Sequence, residues 1–68
     1  MNEDTFNMEI RKFLKTVGIS SQREIEHAVA KAMEAGKLSG SETISVKMTL
    51  ESSAVGINHC IEGTIALE

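Results

Sequence analysis

Two segments near the end of the chain alternate strictly between apolar and polar residues, and this alternation limits the folds open to it. From Thr43 to Glu51 every second residue is apolar, and the same period returns after a Ser-Ser-Ala-Val-Gly interruption. Such alternation is typical of β-strands with one apolar face and one face in water. The pattern predicts an antiparallel hairpin with strands over 42–51 and 57–67.

The segment at the start of the chain has the period of a helix. Its apolar residues recur at three- and four-residue spacing, which predicts an amphipathic helix over 3–17. Gly18 allows the left-handed backbone that ends many helices, so we expect the helix to end there, with Ile19 folding back on Leu14. The apolar face consists of Phe6, Ile10, Phe13, Leu14 and Val17.

A second helix is predicted over 21–35. Ser21 and Glu24 have the spacing of a capping box, which would start this helix. Gly36 follows the last residue of the apolar pattern and would stop it. Half of the apolar arc is alanine, and so shallow a surface allows another backbone to approach closely. The arc contains Ile25, Ala28, Val29, Ala32, Met33 and Ala35.

The order α-α-β-β predicts one α+β domain, with two helices packed on the apolar face of a C-terminal hairpin. A chain of 68 residues is close to the lower size limit for folding alone. Cys60 is the only cysteine, so no disulfide forms within the chain. Two strands by themselves are marginally stable and leave both edges unpaired. We therefore expect a homodimer, with the hairpins of two copies joined in a four-stranded sheet.

The sequence contains no motif of a known enzyme class. The glycine-rich phosphate-binding patterns and the nucleophile elbow are absent. His59 and Cys60 are neighbours in a predicted strand, so their side chains diverge and do not form a catalytic pair or a shared metal site. Each is better explained as an ordinary strand residue. We expect no catalytic, cofactor-binding or metal-binding residue and no small-molecule site.

A non-enzymatic protein-interaction module is the function that best fits this pattern. We expect an unidentified protein partner in addition to the second copy. Three surfaces are candidates for docking: a cationic group on the first predicted helix, the shallow alanines of the second, and the edges of the strands. The candidate residues are Arg11, Lys12, Lys15, Ala28, Ala32 and Ala35.

A winged-helix nucleic-acid-binding or transcription-regulatory protein is the alternative. Two helices followed by a hairpin have the order of the DNA-reading half of such a domain. The net charge of −3 disfavours contact with phosphates, and so do Glu24 and Glu26 at the start of the predicted recognition helix. The wing tip, 52–56, contains neither lysine nor arginine.

Nothing in the sequence points to a membrane or to export. No apolar run approaches the roughly 20 residues of a membrane span. The acidic start of the chain, Met1-Asn2-Glu3-Asp4, differs from the cationic start of a secretion signal. We expect a cytoplasmic protein.

The whole chain resembles a small family of uncharacterised bacterial proteins of about 70 residues, a domain of unknown function. The resemblance implies a stand-alone bacterial cytosolic protein and transfers no catalytic or binding residue. It is carried by Thr5-Phe6-Asn7, Ile10–Lys15, Ser21–Glu26, Ala28–Ala32 and Lys47–Glu51.

Overall fold

In the computed structural model, which describes residues 1–68, one long helix is followed by a two-stranded antiparallel hairpin. The helix α1 spans Glu3–Glu34, and the strands β1 and β2 span Thr43–Ser52 and Ile57–Ala66. A single 3₁₀ turn, Ser53–Val55, lies between the strands. The α+β class and the hairpin are therefore confirmed.

The prediction of two helices, 3–17 and 21–35, is wrong. Helix α1 continues through Gly18 without a break, and Gly18 does not adopt the left-handed conformation. Ser21 lies inside the helix and has no capping role with Glu24. A glycine inside a helix costs only about 1 kcal/mol relative to alanine. A glycine therefore allows a helix to end at its position but does not force it to end there.

The two ends of α1 carry the caps that a single helix needs. At the start, the side-chain oxygen of Asn2 accepts a hydrogen bond of 3.1 Å from the backbone N–H of Thr5. At the other end Gly36 has a φ of 74°, so the stop predicted there is confirmed. The basic side chain of Lys31 lies in the last turn, where it complements the helix dipole.

The two predicted apolar arcs form one stripe on α1 because they are in phase. Val17, Ser21 and Ile25 follow one another at four-residue intervals, and all three are half-buried. Residues four apart lie on the same side of a helix. The stripe therefore runs from the first turn of α1 to Ala32 with Ser21 as its one polar member.

The hairpin has the amphipathic faces that the alternation predicts. Strand β1 pairs with β2 from Thr43 opposite Ala66 to Ser52 opposite Ile57. Directly opposed residues share a face of the sheet. One face is mainly apolar, and its pairs are Ile44–Ile65, Val46–Gly63, Met48–Ile61, Leu50–His59 and Ser52–Ile57.

The chain divides into two compact units, Met1–Lys37 and Leu38–Glu68, and neither contains a buried side chain. In the first unit Phe13 remains 55% exposed, and in the second Ile61 remains 60% exposed. Neither unit therefore has a buried apolar core of its own.

Candidate functional site

The cationic candidates lie together on one side of α1. Arg11 and Lys15 are four residues apart, Lys12 and Lys15 are three apart, and all three are exposed. These spacings place the three charges side by side along the helix surface. A helix turns by about 100° per residue, which places these three charges on the side of α1 opposite Phe6 and Phe13. The group therefore faces away from the apolar stripe.

The alanine candidates occupy the other end of α1. Ala28, Ala32 and Ala35 are spaced four and three residues apart, which places them on one face. They line an open depression flanked by Lys31 and Lys37. The cationic group and the alanines belong to different halves of one helix, so the structure does not bring them together as one site.

The apolar side chains that the sequence analysis assigned to a core are the largest exposed features. Four exposed apolar residues share one face in the first half of α1 and are here called the N-terminal stripe: Phe6, Ile10, Phe13 and Leu14. Met8 is 67% exposed and lies on the opposite side of the helix. The second exposed group lies at the turn end of the hairpin and consists of Met48, Leu50, Ile57 and Ile61. The apolar spacing in the sequence identifies these residues, but it assigns them to a core, and the structure leaves them exposed.

The structure places His59 and Cys60 on opposite faces of the hairpin, as predicted. His59 lies opposite Leu50 on the apolar face and is exposed. The thiol sulfur of Cys60 lies 3.4 Å from the hydroxyl oxygen of Thr49 on the polar face. Neither side chain has a hydrogen bond to a group that would act as its acid or base partner.

A turn at the start of the second unit holds the Glu42 side chain in a set of backbone hydrogen bonds. The Glu42 carboxylate accepts hydrogen bonds of 2.8 and 3.1 Å from the backbone N–H of Ser39 and of 3.0 Å from that of Gly40. These bonds, first of all those from Ser39, lower the pKa of Glu42 from its ordinary value of 4.5. Sequence analysis missed this feature, since a glutamate after a glycine-serine turn has no distinctive spacing.

The structure shows neither a cluster of metal-binding side chains nor a nucleophile hydrogen-bonded to a general base. No three histidine, cysteine, aspartate or glutamate side chains are grouped so as to hold a metal ion. The hydrogen bonds between side chains join Ser39 to Ser41 and Thr49 to Cys60, and neither links a nucleophile to a general base. No helix of the chain combines the length and the apolarity needed to cross a membrane.

One helix and one two-stranded hairpin, both with exposed apolar side chains, define the class: a minimal α+β chain. The chain belongs to the family described as Family of unknown function (DUF6494), whose model matches residues 1–68. The resemblance to a family of unknown function, seen in the sequence, is confirmed. No curated protein and no solved structure matches the chain.

Proposed function

We propose that the chain is a non-enzymatic, cytoplasmic protein-interaction module whose working form is a homodimer. The observation that carries this proposal is the complete absence of buried side chains in a chain with 41% hydrophobic residues. Hydrophobic burial is the dominant favourable term in folding. A chain that buries no side chain by itself has to obtain that burial from a second molecule.

Each of the two units leaves large apolar side chains exposed, among them Phe13 at 55% in the first unit and Ile61 at 60% in the second. A second copy is the simplest partner, because two-fold dimers are the commonest oligomers.

The nucleic-acid alternative receives no support from the helix. A helix-turn-helix requires a turn near Gly18–Ser21, and these residues are helical. The predicted wing tip, 52–56, includes the 3₁₀ turn Ser53–Val55 and contains no cationic residue. We therefore do not propose nucleic-acid binding as the function, and the DNA titration described below tests for it.

Light scattering coupled to size-exclusion chromatography at micromolar concentration tests the proposal. We expect a mass of twice the 7.4 kDa chain. The melting temperature of a dimer rises with protein concentration, since association stabilises the folded form by mass action. A monomer with cooperative, concentration-independent unfolding would contradict the proposal.

A DNA titration at low and moderate salt separates the two functions. We expect no binding, because the chain carries ten acidic and seven basic residues. Binding that weakens steeply as salt is added would favour the winged-helix alternative over the interaction module.

A further inference from the structure

We propose that the outer edge of β1 pairs with the outer edge of β1 in a second copy, in antiparallel orientation, about a two-fold axis through Thr49. This inference rests on the proposed homodimer and names the edge and the register that form it. The sheet has the order β1-β2, so each strand has one edge without a strand neighbour. Such an edge presents unpaired backbone N–H and C=O groups, which a strand of another molecule can bind.

The backbone of β1 presents its odd-numbered residues to this outer edge. The N–H of Leu67 donates a hydrogen bond of 2.9 Å to the carbonyl oxygen of Glu42, so the carbonyl of Glu42 points toward β2. Hydrogen-bonded and non-hydrogen-bonded residues alternate along an antiparallel ladder. The register between the two strands has no bulge, so this alternation continues along β1. The N–H and C=O groups of Lys47, Thr49 and Glu51 therefore point away from β2.

The charges beside this edge select one register. Lys47 and Glu51 are the two charged residues of β1, and both lie on its polar face. In an antiparallel pair about an axis through Thr49, Lys47 of each copy lies directly opposite Glu51 of the other. An axis through Lys47 would oppose two lysines, and an axis through Met48 would leave both charges opposite uncharged residues. Unlike charges in directly opposed pairs stabilise a sheet, whereas like charges destabilise it.

This register also gives Glu51 the cation that its own hairpin lacks. Within the hairpin Lys47 lies opposite Glu62, whereas Glu51 lies opposite the uncharged Asn58. Lys47 and Glu51 of one chain are four residues apart along the strand, a distance of about 13 Å. Glu51 therefore has no cation beside it on the strands of its own chain, and the second copy supplies one.

The apolar face of the hairpin gains contacts in the same register. Met48 is 43% exposed and Leu50 is 40% exposed. Pairing about Thr49 places Met48 of each copy opposite Leu50 of the other, at a non-hydrogen-bonded position, where opposed residues are closest. The apolar faces of the two hairpins become continuous across the join.

The outer edge of β2 does not offer an equivalent match. Glu62 is the only acidic residue of β2, and the strand contains no lysine or arginine, so no two-fold register opposes unlike charges. Gly63 weakens β2, whereas β1 contains neither glycine nor proline. Pairing of β1 with β2 of another copy leaves a free edge at each end and builds an open fibre, which is not a closed dimer.

Disulfide crosslinking tests the edge and the register in a Cys60→Ser background, which removes the exposed native thiol beside Thr49. Under mild oxidation we expect Thr49→Cys to form a covalent dimer, since its two Cα atoms would lie about 5.5 Å apart. Met48→Cys is the control for register, because the two sulfurs would be on diagonal neighbours about 7–8 Å apart, beyond the reach of a disulfide. Glu62→Cys is the control for the β2 edge and is expected to remain unlinked.

The crosslinking pattern distinguishes the possible failures. Crosslinking of Met48→Cys without Thr49→Cys would indicate a different register and overturn the charge pairing. Crosslinking of Glu62→Cys alone would indicate pairing through β2 and overturn the β1 edge. A wild-type dimer by light scattering with no crosslink at Thr49→Cys would overturn this interface and leave the homodimer standing. A wild-type monomer would overturn both.

Neutralising one glutamate at a time gives an independent readout without cysteine variants. Glu51→Gln removes the carboxylate opposite Lys47 of the other copy and is expected to weaken the dimer about fivefold at low salt. This weakening is expected to shrink as salt is added, because exposed ion pairs are screened. Glu62→Gln makes the same change of charge on the strand away from the join and is expected to leave the dissociation constant unchanged. Equal effects of the two substitutions would contradict the pairing of Lys47 with Glu51.

Discussion

The backbone N–H of Lys37 donates a hydrogen bond of 2.9 Å to the carbonyl oxygen of Ala32, across the end of α1. The N–H of Gly36 donates to the carbonyl oxygen of Met33 at 3.1 Å, and Gly36 has a φ of 74°. The two bonds together form a Schellman motif, which satisfies carbonyls that the helix leaves free. Gly36 therefore ends the helix, a role that Gly18 does not have.

Gly36→Ala and Gly18→Ala are expected to change stability in opposite directions. At Gly36 a methyl group meets the left-handed backbone, so the free energy of unfolding falls by about 1–2 kcal/mol. At Gly18 an added Cβ has no neighbour within 4 Å and improves helix propensity, so stability rises by about 0.5–1 kcal/mol. Urea unfolding followed by circular dichroism measures both. A loss of stability in Gly18→Ala would indicate a helix break there.

Asn2→Ala and Ser21→Ala test which residue caps the helix. Asn2 accepts the N–H of Thr5, so its loss is expected to lower stability by about 1 kcal/mol. Ser21 lies inside α1, so alanine is expected to leave stability unchanged or raise it by about 0.5 kcal/mol. The same urea titrations give the two differences. A loss of about 1 kcal/mol in Ser21→Ala would restore the capping box predicted from the sequence.

The Glu42 carboxylate predicts a pH dependence of stability. Backbone N–H groups of Ser39 and Gly40 lower its pKa in the folded state below the ordinary value of 4.5. The carboxylate of Glu42 therefore contributes fully to the free energy of unfolding above pH 4.5. This contribution is lost as the pH falls through the lowered folded-state pKa.

Glu42→Gln should remove this dependence. We expect the difference in urea midpoint between wild type and Glu42→Gln to shrink as the solution is acidified. Ser41→Ala is the matched control, because it removes the hydroxyl contact with Ser39 and leaves the carboxylate bonds intact. An identical acid profile for wild type and Glu42→Gln would contradict the role of the carboxylate.

Gly63 lies opposite Val46 on the apolar face of the hairpin, and the lack of a side chain there weakens the strand. An added Cβ meets no atom within 4 Å, so Gly63→Ala is expected to raise stability by about 0.5–1 kcal/mol. Gly56→Ala is the control with the opposite sign, since Gly56 has a φ of 68°. Thermal unfolding at fixed protein concentration measures the pair. Destabilisation by Gly63→Ala would contradict the open space that the structure shows at this position.

The candidate docking residues show how far sequence reasoning reaches. The shared face of Ala28, Ala32 and Ala35 follows from their spacing, and the structure adds the depression that they line. The sequence did not indicate that this depression and the cationic group around Lys12 lie in different halves of one helix. Their separation depends on whether the helix continues through Gly18. Glycine disfavours a continuous helix by only about 1 kcal/mol relative to alanine.

The alternation of apolar and polar residues in 43–51 and 57–67 was sufficient to determine the hairpin and the opposite orientations of His59 and Cys60, and the structure added the pairing of the strands. A strand has a period of two, so a shift of one residue would turn its entire apolar face to water. Only the tertiary structure decided that α1 is continuous and that no side chain is buried in the single chain. Helix ends depend on capping terms of about 1 kcal/mol, and burial depends on which surfaces meet. Neither quantity is contained in the local pattern of residues.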